Sequence, residues 1–107
     1  MYRIVYTAPV ILVEQPIKFE WDQGNKDKNA VKHSVSNNEC EEVFFDPNKK
    51  ILADVLHSDD EARYLLLGKT KTGRVLFVVF TLRGKKIRII SARDTKNKER
   101  RLYEDWT

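Results

Sequence analysis

A chain of 107 residues that is 41% hydrophobic and 34% charged can bury one small core but has no room for a second domain, and it is too apolar for global disorder. The net charge is +4, and its distribution is uneven: 13 basic residues fall between Arg63 and Arg101, where the only acids are Asp94 and Glu99. A single cysteine, Cys40, excludes an intramolecular disulfide and any Cys-based zinc cluster, and no apolar stretch is long enough to span a membrane.

Residues 1–16 read as an extended N-terminal arm interrupted by Pro9, and residues 17–107 as one domain. Ile17, Phe19 and Trp21 alternate with Lys18, Glu20 and Asp22, the period of a half-buried strand. Asp22 then stands as N-cap to a helix over Asn25 to His33, whose Asn29, Lys32 and His33 share a polar face. Ser36-Asn37-Asn38-Glu39 is a capping box, with Cys40, Val43 and Phe44 as the buried stripe of a second helix that Asp46-Pro47 stops. A short strand follows around Ile51 to Leu56, then an acidic turn from His57 to Asp60, which makes a poor metal cage.

Three apolar runs, Arg63–Thr70, Arg74–Leu82 and Lys86–Ala92, are separated by Lys71-Thr72-Gly73 and Arg83-Gly84-Lys85, which predicts antiparallel hairpins. A last helix from about Lys96 to Trp106, capped by Asp94 or Thr95, would lay Leu102, Tyr103 and Trp106 on the sheet. The order of a strand, two helices, an antiparallel meander and a closing helix is α+β.

Arg63, Arg74, Arg88 and Arg93 lie at strand-associated positions, and Arg88 is carried inside an apolar run, so something must pair with it. Guanidinium groups bind phosphate oxygens bidentately and stay protonated, which suits an RNA or DNA backbone. The alternative is a solvated sheet face with carboxylate partners. Lys32-His33 offers a general base and a neighbouring cation, or else a partner for a helix C-terminus. Trp21 and Tyr103 can stack on bases or fill the core, and Lys69, Arg74, Lys85 and Lys86 complete the candidate nucleic-acid contacts. No Gly-rich phosphate loop or nucleophilic triad is present.

Phe19-Glu20-Trp21-Asp22, Asn29-x-x-Lys32-His33, Val35-Ser36, Val43-Phe44, Asp46-Pro47, Arg88-Ile89-Ile90-Ser91-Ala92-Arg93, Glu99-Arg100 and Tyr103-Glu104 occur in that order. Together they resemble the BrnT family of toxins from bacterial type II toxin–antitoxin systems, over about Lys18 to Asp105. Ser34 stands where that family has glycine after Lys-His, Asn37 where an aromatic follows Val-Ser, and Gln23-Gly24 where a proline is common.

The resemblance implies a RelE-like ribonuclease fold and metal-free RNA cleavage without a cofactor. The expected chemistry is attack of a ribose 2′-oxygen on phosphorus, inhibiting translation in the cytoplasm. It assigns Arg63, Arg88 and Arg93 to phosphate stabilisation and Lys32 and His33 to proton transfer or phosphate contact. The implied partner is a BrnA-like ribbon-helix-helix antitoxin, with DNA reached only through that complex and no membrane partner. A nucleic-acid-binding module without catalysis, or an antitoxin partner whose catalytic centre has decayed, are the alternatives.

Overall fold

The computed structural model describes residues 17–54 and 61–105. The N-terminal arm, the end of the Ile51–Leu56 strand, the acidic turn with His57, Asp59 and Asp60, and Trp106 lie outside them. In chain order the elements are β1 (Lys18–Phe19), α1 (Lys28–His33), α2 (Asn37–Glu42) with a 3-10 turn (Val43–Phe45), β2 (Lys50–Ala53), β3 (Arg63–Lys69), β4 (Val75–Arg83), β5 (Lys86–Asp94) and α3 (Asn97–Asp105). They form one sheet in the order β1-β5-β4-β3-β2, antiparallel except for β1, which runs parallel to β5. The fold is α+β, as the element order implies.

The hairpins form where the apolar runs and turn residues place them, with Gly73 at φ 93° and Gly84 at φ 62° supplying the left-handed turn conformations. The β4 run from Val75 to Phe80 is buried throughout because both of its faces are covered. On one face Leu76, Val78 and Phe80 meet Val35, Cys40, Val43 and Phe44 from the α2 region. There Phe19, Phe44 and Phe80 stack edge to face at 5.3 and 5.0 Å. On the other face Val75, Phe77 and Val79 pack with Leu65, Leu67 and Tyr103. Burial in the first layer pushes the Cys40 thiol up to about 12, so it packs as a small apolar group.

The Ser36 capping box is complete: the hydroxyl accepts from Glu39 N at 3.1 Å and the Glu39 carboxylate accepts from Ser36 N at 3.0 Å. The first helix departs from expectation. Asp22 opens a turn, its carbonyl accepting from Asn25 and Lys26 N–H, and α1 begins only at Lys28, after Asp27 at φ 61°. The chain must reverse before it can coil, so the helix is six residues long rather than nine.

Candidate nucleic-acid interface

Strand register decides which basic residues share a face. Arg63 pairs with Thr81 across β3 and β4, and Thr81 pairs with Arg88 across β4 and β5. The three therefore form one row on the sheet, with the two arginines about 10 Å apart by strand spacing. Arg93 pairs with Phe77, four residues along β4 from that row, or about 13 Å. Arg63 and Arg88 are brought together at one pole of the sheet, and Arg93 sits at the other.

Acids from outside the basic segment meet Arg88 and Arg83. Arg88 donates through Nη1 to Glu20 at 3.0 Å, and Asp22 accepts from Nη1 at 2.8 Å and Nη2 at 3.0 Å. The side chain is only 13% exposed, and its hydrogen bond to Asp22 holds the Asp22 carboxyl below the usual carboxylate range. Gly24 makes this approach possible: a Cβ there would stand 2.7 Å from Arg88 Nη2 and 3.0 Å from Asp22 Oδ1. Arg83 pairs with Glu20 and Glu61 nearby, while Lys85 and Lys86 sit exposed at the β4–β5 turn.

Beyond its short pairing with β1, the edge of β5 is satisfied by two asparagines instead of a strand. Asn25 Nδ2 donates to Ile89 O at 3.1 Å and Glu20 O at 2.9 Å, and Asn29 Oδ1 accepts from Ala92 N at 2.9 Å. Both side chains are buried, and Asn29 Nδ2 has no partner among the described residues. Asn29 thus belongs to the interior rather than to an open polar face. These bonds lay α1 beside β5, and the side chains of Lys32 and His33 carry no hydrogen bond or ion pair among the described residues.

At this second pole Arg93 lies over the Phe77 ring, 4.3 Å from its centroid, and forms a two-pronged pair with Glu99 of α3 at 2.8 and 2.9 Å. Arg74 is heavily bonded. Nε and Nη2 grip Asp94 at 2.6 and 3.0 Å, Nη1 reaches Ser34 O at 2.7 Å and Glu39 at 3.2 and 3.3 Å, and Nη2 meets His33 O at 3.3 Å. All five of its N–H groups are used inside the protein.

The two aromatic candidates point inward. Trp21 packs on the core and donates Nε1 to Glu41 at 2.6 Å. Tyr103 is 3% exposed and donates to Asp46 at 2.6 Å; burial, and then that hydrogen bond, push its hydroxyl well above the usual range. Lys69 Nζ stands 5.9 Å from the Tyr103 ring centroid, beside a groove of about 580 Å³ that also includes Phe45 and Lys71. Among the described residues no three His, Cys, Asp or Glu side chains converge into a group able to hold a metal ion, and no helix is long and apolar enough to cross a membrane.

The sequence does not identify Glu20 and Asp22 as partners of Arg88, nor Asn25 and Thr81 as buried polar residues beneath it. Thr81 becomes legible once the hairpin register is counted. The asparagine bonds to β5 span more than sixty residues and leave no local pattern.

Residues 21–99 match the model of a family described as the ribonuclease toxin, BrnT, of type II toxin–antitoxin systems. No curated protein matches the chain.

Proposed function

The chain belongs to the BrnT family of ribonuclease toxins, whose place in type II toxin–antitoxin systems implies an RNA substrate and an antitoxin partner, and from that premise we propose that it cleaves RNA without a metal ion, by attack of a ribose 2′-oxygen on the adjacent phosphorus. The O5′–P bond breaks as the 2′-O–P bond forms, leaving a 2′,3′-cyclic phosphate and a 5′-hydroxyl. Two protons must move and a dianionic phosphorane must be stabilised.

One observation carries the reading. Ala92 and Asp94 are both tied to the α1 region, Ala92 through Asn29 and Asp94 through Arg74, and the residue between them is Arg93. These ties fix α1, which carries Lys32 and His33, beside the end of β5 that carries Arg93, whose own side chain lies on the Phe77 face of the sheet. His33 takes the proton from the 2′-hydroxyl, Lys32 gives one to the departing 5′-oxygen, and Arg93 contacts the phosphate through the N–H groups that Glu99 and the Asp94 carbonyl leave over. Arg88 and Arg63, in their row with Thr81, hold a neighbouring phosphate. Donors aimed at developing charge are worth roughly 2.7–4 kcal/mol each in such reactions.

Cleavage of RNA in translating cells would halt protein synthesis in the cytoplasm. Control then falls to a BrnA-like ribbon-helix-helix antitoxin, whose acidic segment covers the same arginines and through which the complex reaches DNA. The carboxylates already on Arg88 and Arg93 leave less charge for a phosphorane and so favour a second reading, RNA binding through the remaining basic residues without scission.

The test is incubation of antitoxin-free protein with RNA in EDTA, followed by identification of both new ends. A cyclic 2′,3′-phosphate with a 5′-hydroxyl is expected, and its yield should collapse in Arg93→Ala and His33→Ala. Binding that weakens with salt while the RNA stays whole would establish the second reading instead.

A further inference from the structure

Helix α1 is six residues long, far below the twelve or so at which an isolated helix becomes marginally stable, so its position is set by what grips it. Its beginning is held by Asp27, which exchanges two hydrogen bonds with Asn37 at 2.8 and 3.1 Å. Its middle is held by Asn29 on the edge of β5. Its end is the most demanding part. The last carbonyls of a helix have no partner within it, and Ser34, which follows His33, sits at φ 56°, a left-handed conformation that is strained for any residue but glycine.

Arg74 meets both needs. Its guanidinium donates to the His33 and Ser34 carbonyls, and it is locked there by Asp94 at the end of β5 and Glu39 at the start of α2. The plane of the fork thus ties together the helix end, the capping box and the sheet.

We propose that Arg74 is a positioning residue for His33: by bonding the His33 and Ser34 carbonyls from a cradle formed by Asp94 and Glu39, it sets where the imidazole stands relative to the substrate phosphate. With every N–H already engaged it does not contact RNA itself, although its charge and its place between strands mark it as an RNA ligand on sequence grounds. This inference rests on the reading that His33 acts in the reaction.

Arg74→Lys separates positioning from charge. An ammonium keeps the positive charge between Asp94 and Glu39 but lacks the planar fork needed to reach two carboxylates and two carbonyls together. The rate of RNA cleavage and the KM for a short RNA are measured in the wild type, Arg74→Lys, His33→Ala and the double variant, with folding followed by circular dichroism. Displacing a reacting group by about 1 Å can cost as much as a hundredfold. Arg74→Lys should therefore lower kcat at least about tenfold with KM within about twofold, and the further loss in the His33→Ala background should be under about twofold. The His33 backbone amide and imidazole resonances should shift in Arg74→Lys while the backbone amide of Gly84, at the far pole, does not.

A folded Arg74→Lys with wild-type kcat overturns the proposal, as does an equal loss in both backgrounds. A KM effect alone would make Arg74 an RNA ligand and overturn it as well. If His33→Ala cleaves at the wild-type rate, the reading of His33 fails and the inference falls with it. A resonance shift at His33 in Arg74→Lys would then still identify Arg74 as the determinant of the helix end, so the two failures are distinguishable. Should Arg74→Lys not fold, Asp94→Asn and Glu39→Gln, which each loosen one wall of the cradle, must reproduce the kcat loss or the proposal is rejected.

Discussion

Arg88 and Asp22 meet fork to fork, Nη1 to Oδ2 at 2.8 Å and Nη2 to Oδ1 at 3.0 Å, across 66 residues of sequence. This is the bidentate geometry in which a guanidinium also takes phosphate, so the carboxylate occupies the face that RNA would use. Asp22→Asn should tighten binding of a short RNA by about three- to tenfold at low salt, roughly 1 kcal/mol, with no gain in an Arg88→Ala background. Fluorescence anisotropy reads both; an affinity unchanged by Asp22→Asn would remove Arg88 from the phosphate contacts.

The pairing also alters what loss of an arginine does to the fold. Glu99 is 9% exposed and its partner Arg93 22%, so Arg93→Ala strands a nearly buried carboxylate. The expected cost is about 2–3 kcal/mol, below the roughly 3–5 kcal/mol of a fully buried pair because Arg93 is partly open to water. Arg93→Ala combined with Glu99→Gln should recover more than half of it in urea unfolding. No recovery would mean that the packing of Arg93 on Phe77, rather than the charge pair, carries the stability.

Acid should act through Asp22, Glu39, Asp94 and Asp46, whose carboxyls the fold lowers. A hydrogen bond from Arg88 lowers Asp22, the Ser36 N–H lowers Glu39, and Arg74 lowers Asp94; at Asp46 burial raises the carboxyl, but bonds from Tyr103, Asn48 and Lys69 outweigh it. A carboxyl whose folded pKa is depressed contributes stability that is complete above its unfolded value, near about 4, and lost as pH falls through the lower folded value. The melting temperature should be level above about pH 5 and fall below about pH 4, less steeply in Asp94→Asn. An Asp94→Asn profile parallel to the wild type would contradict this.

Ser34 lies at φ 56° where glycine would be unstrained. Ser34→Gly should raise stability by up to about 1 kcal/mol, the relief of the left-handed strain less the entropy cost of glycine. Thermal unfolding measures it, and a destabilised Ser34→Gly would show that the serine makes a compensating contact.

The parts of the fold that were legible in the sequence are those with local signals. The capping box needs only Ser36 and Glu39, and the hairpins need apolar runs with Gly73 and Gly84 between them. The start of α1 was misplaced because Asp22 is a credible cap on its own, and the turn it opens becomes visible only through the Asn25 and Lys26 bonds. At the candidate site the depletion of acids between Arg63 and Arg101 suggested unpaired guanidinium groups. Glu20 and Asp22 supply the counter-charge from more than sixty residues away, through the parallel pairing of β1 with β5. Ion pairing follows topology, which composition along the chain does not encode.

The role of the ribose 2′-oxygen as nucleophile is tested most directly by a pair of synthetic RNAs differing only at the nucleotide 5′ to the cleaved bond, one with its 2′-hydroxyl and one 2′-deoxy. Both are incubated with the antitoxin-free protein in EDTA. The hydroxyl substrate should be cut to a 2′,3′-cyclic phosphate and the deoxy substrate should remain whole at that bond. Cleavage of both at the same position, with a 3′-hydroxyl end, would contradict the mechanism.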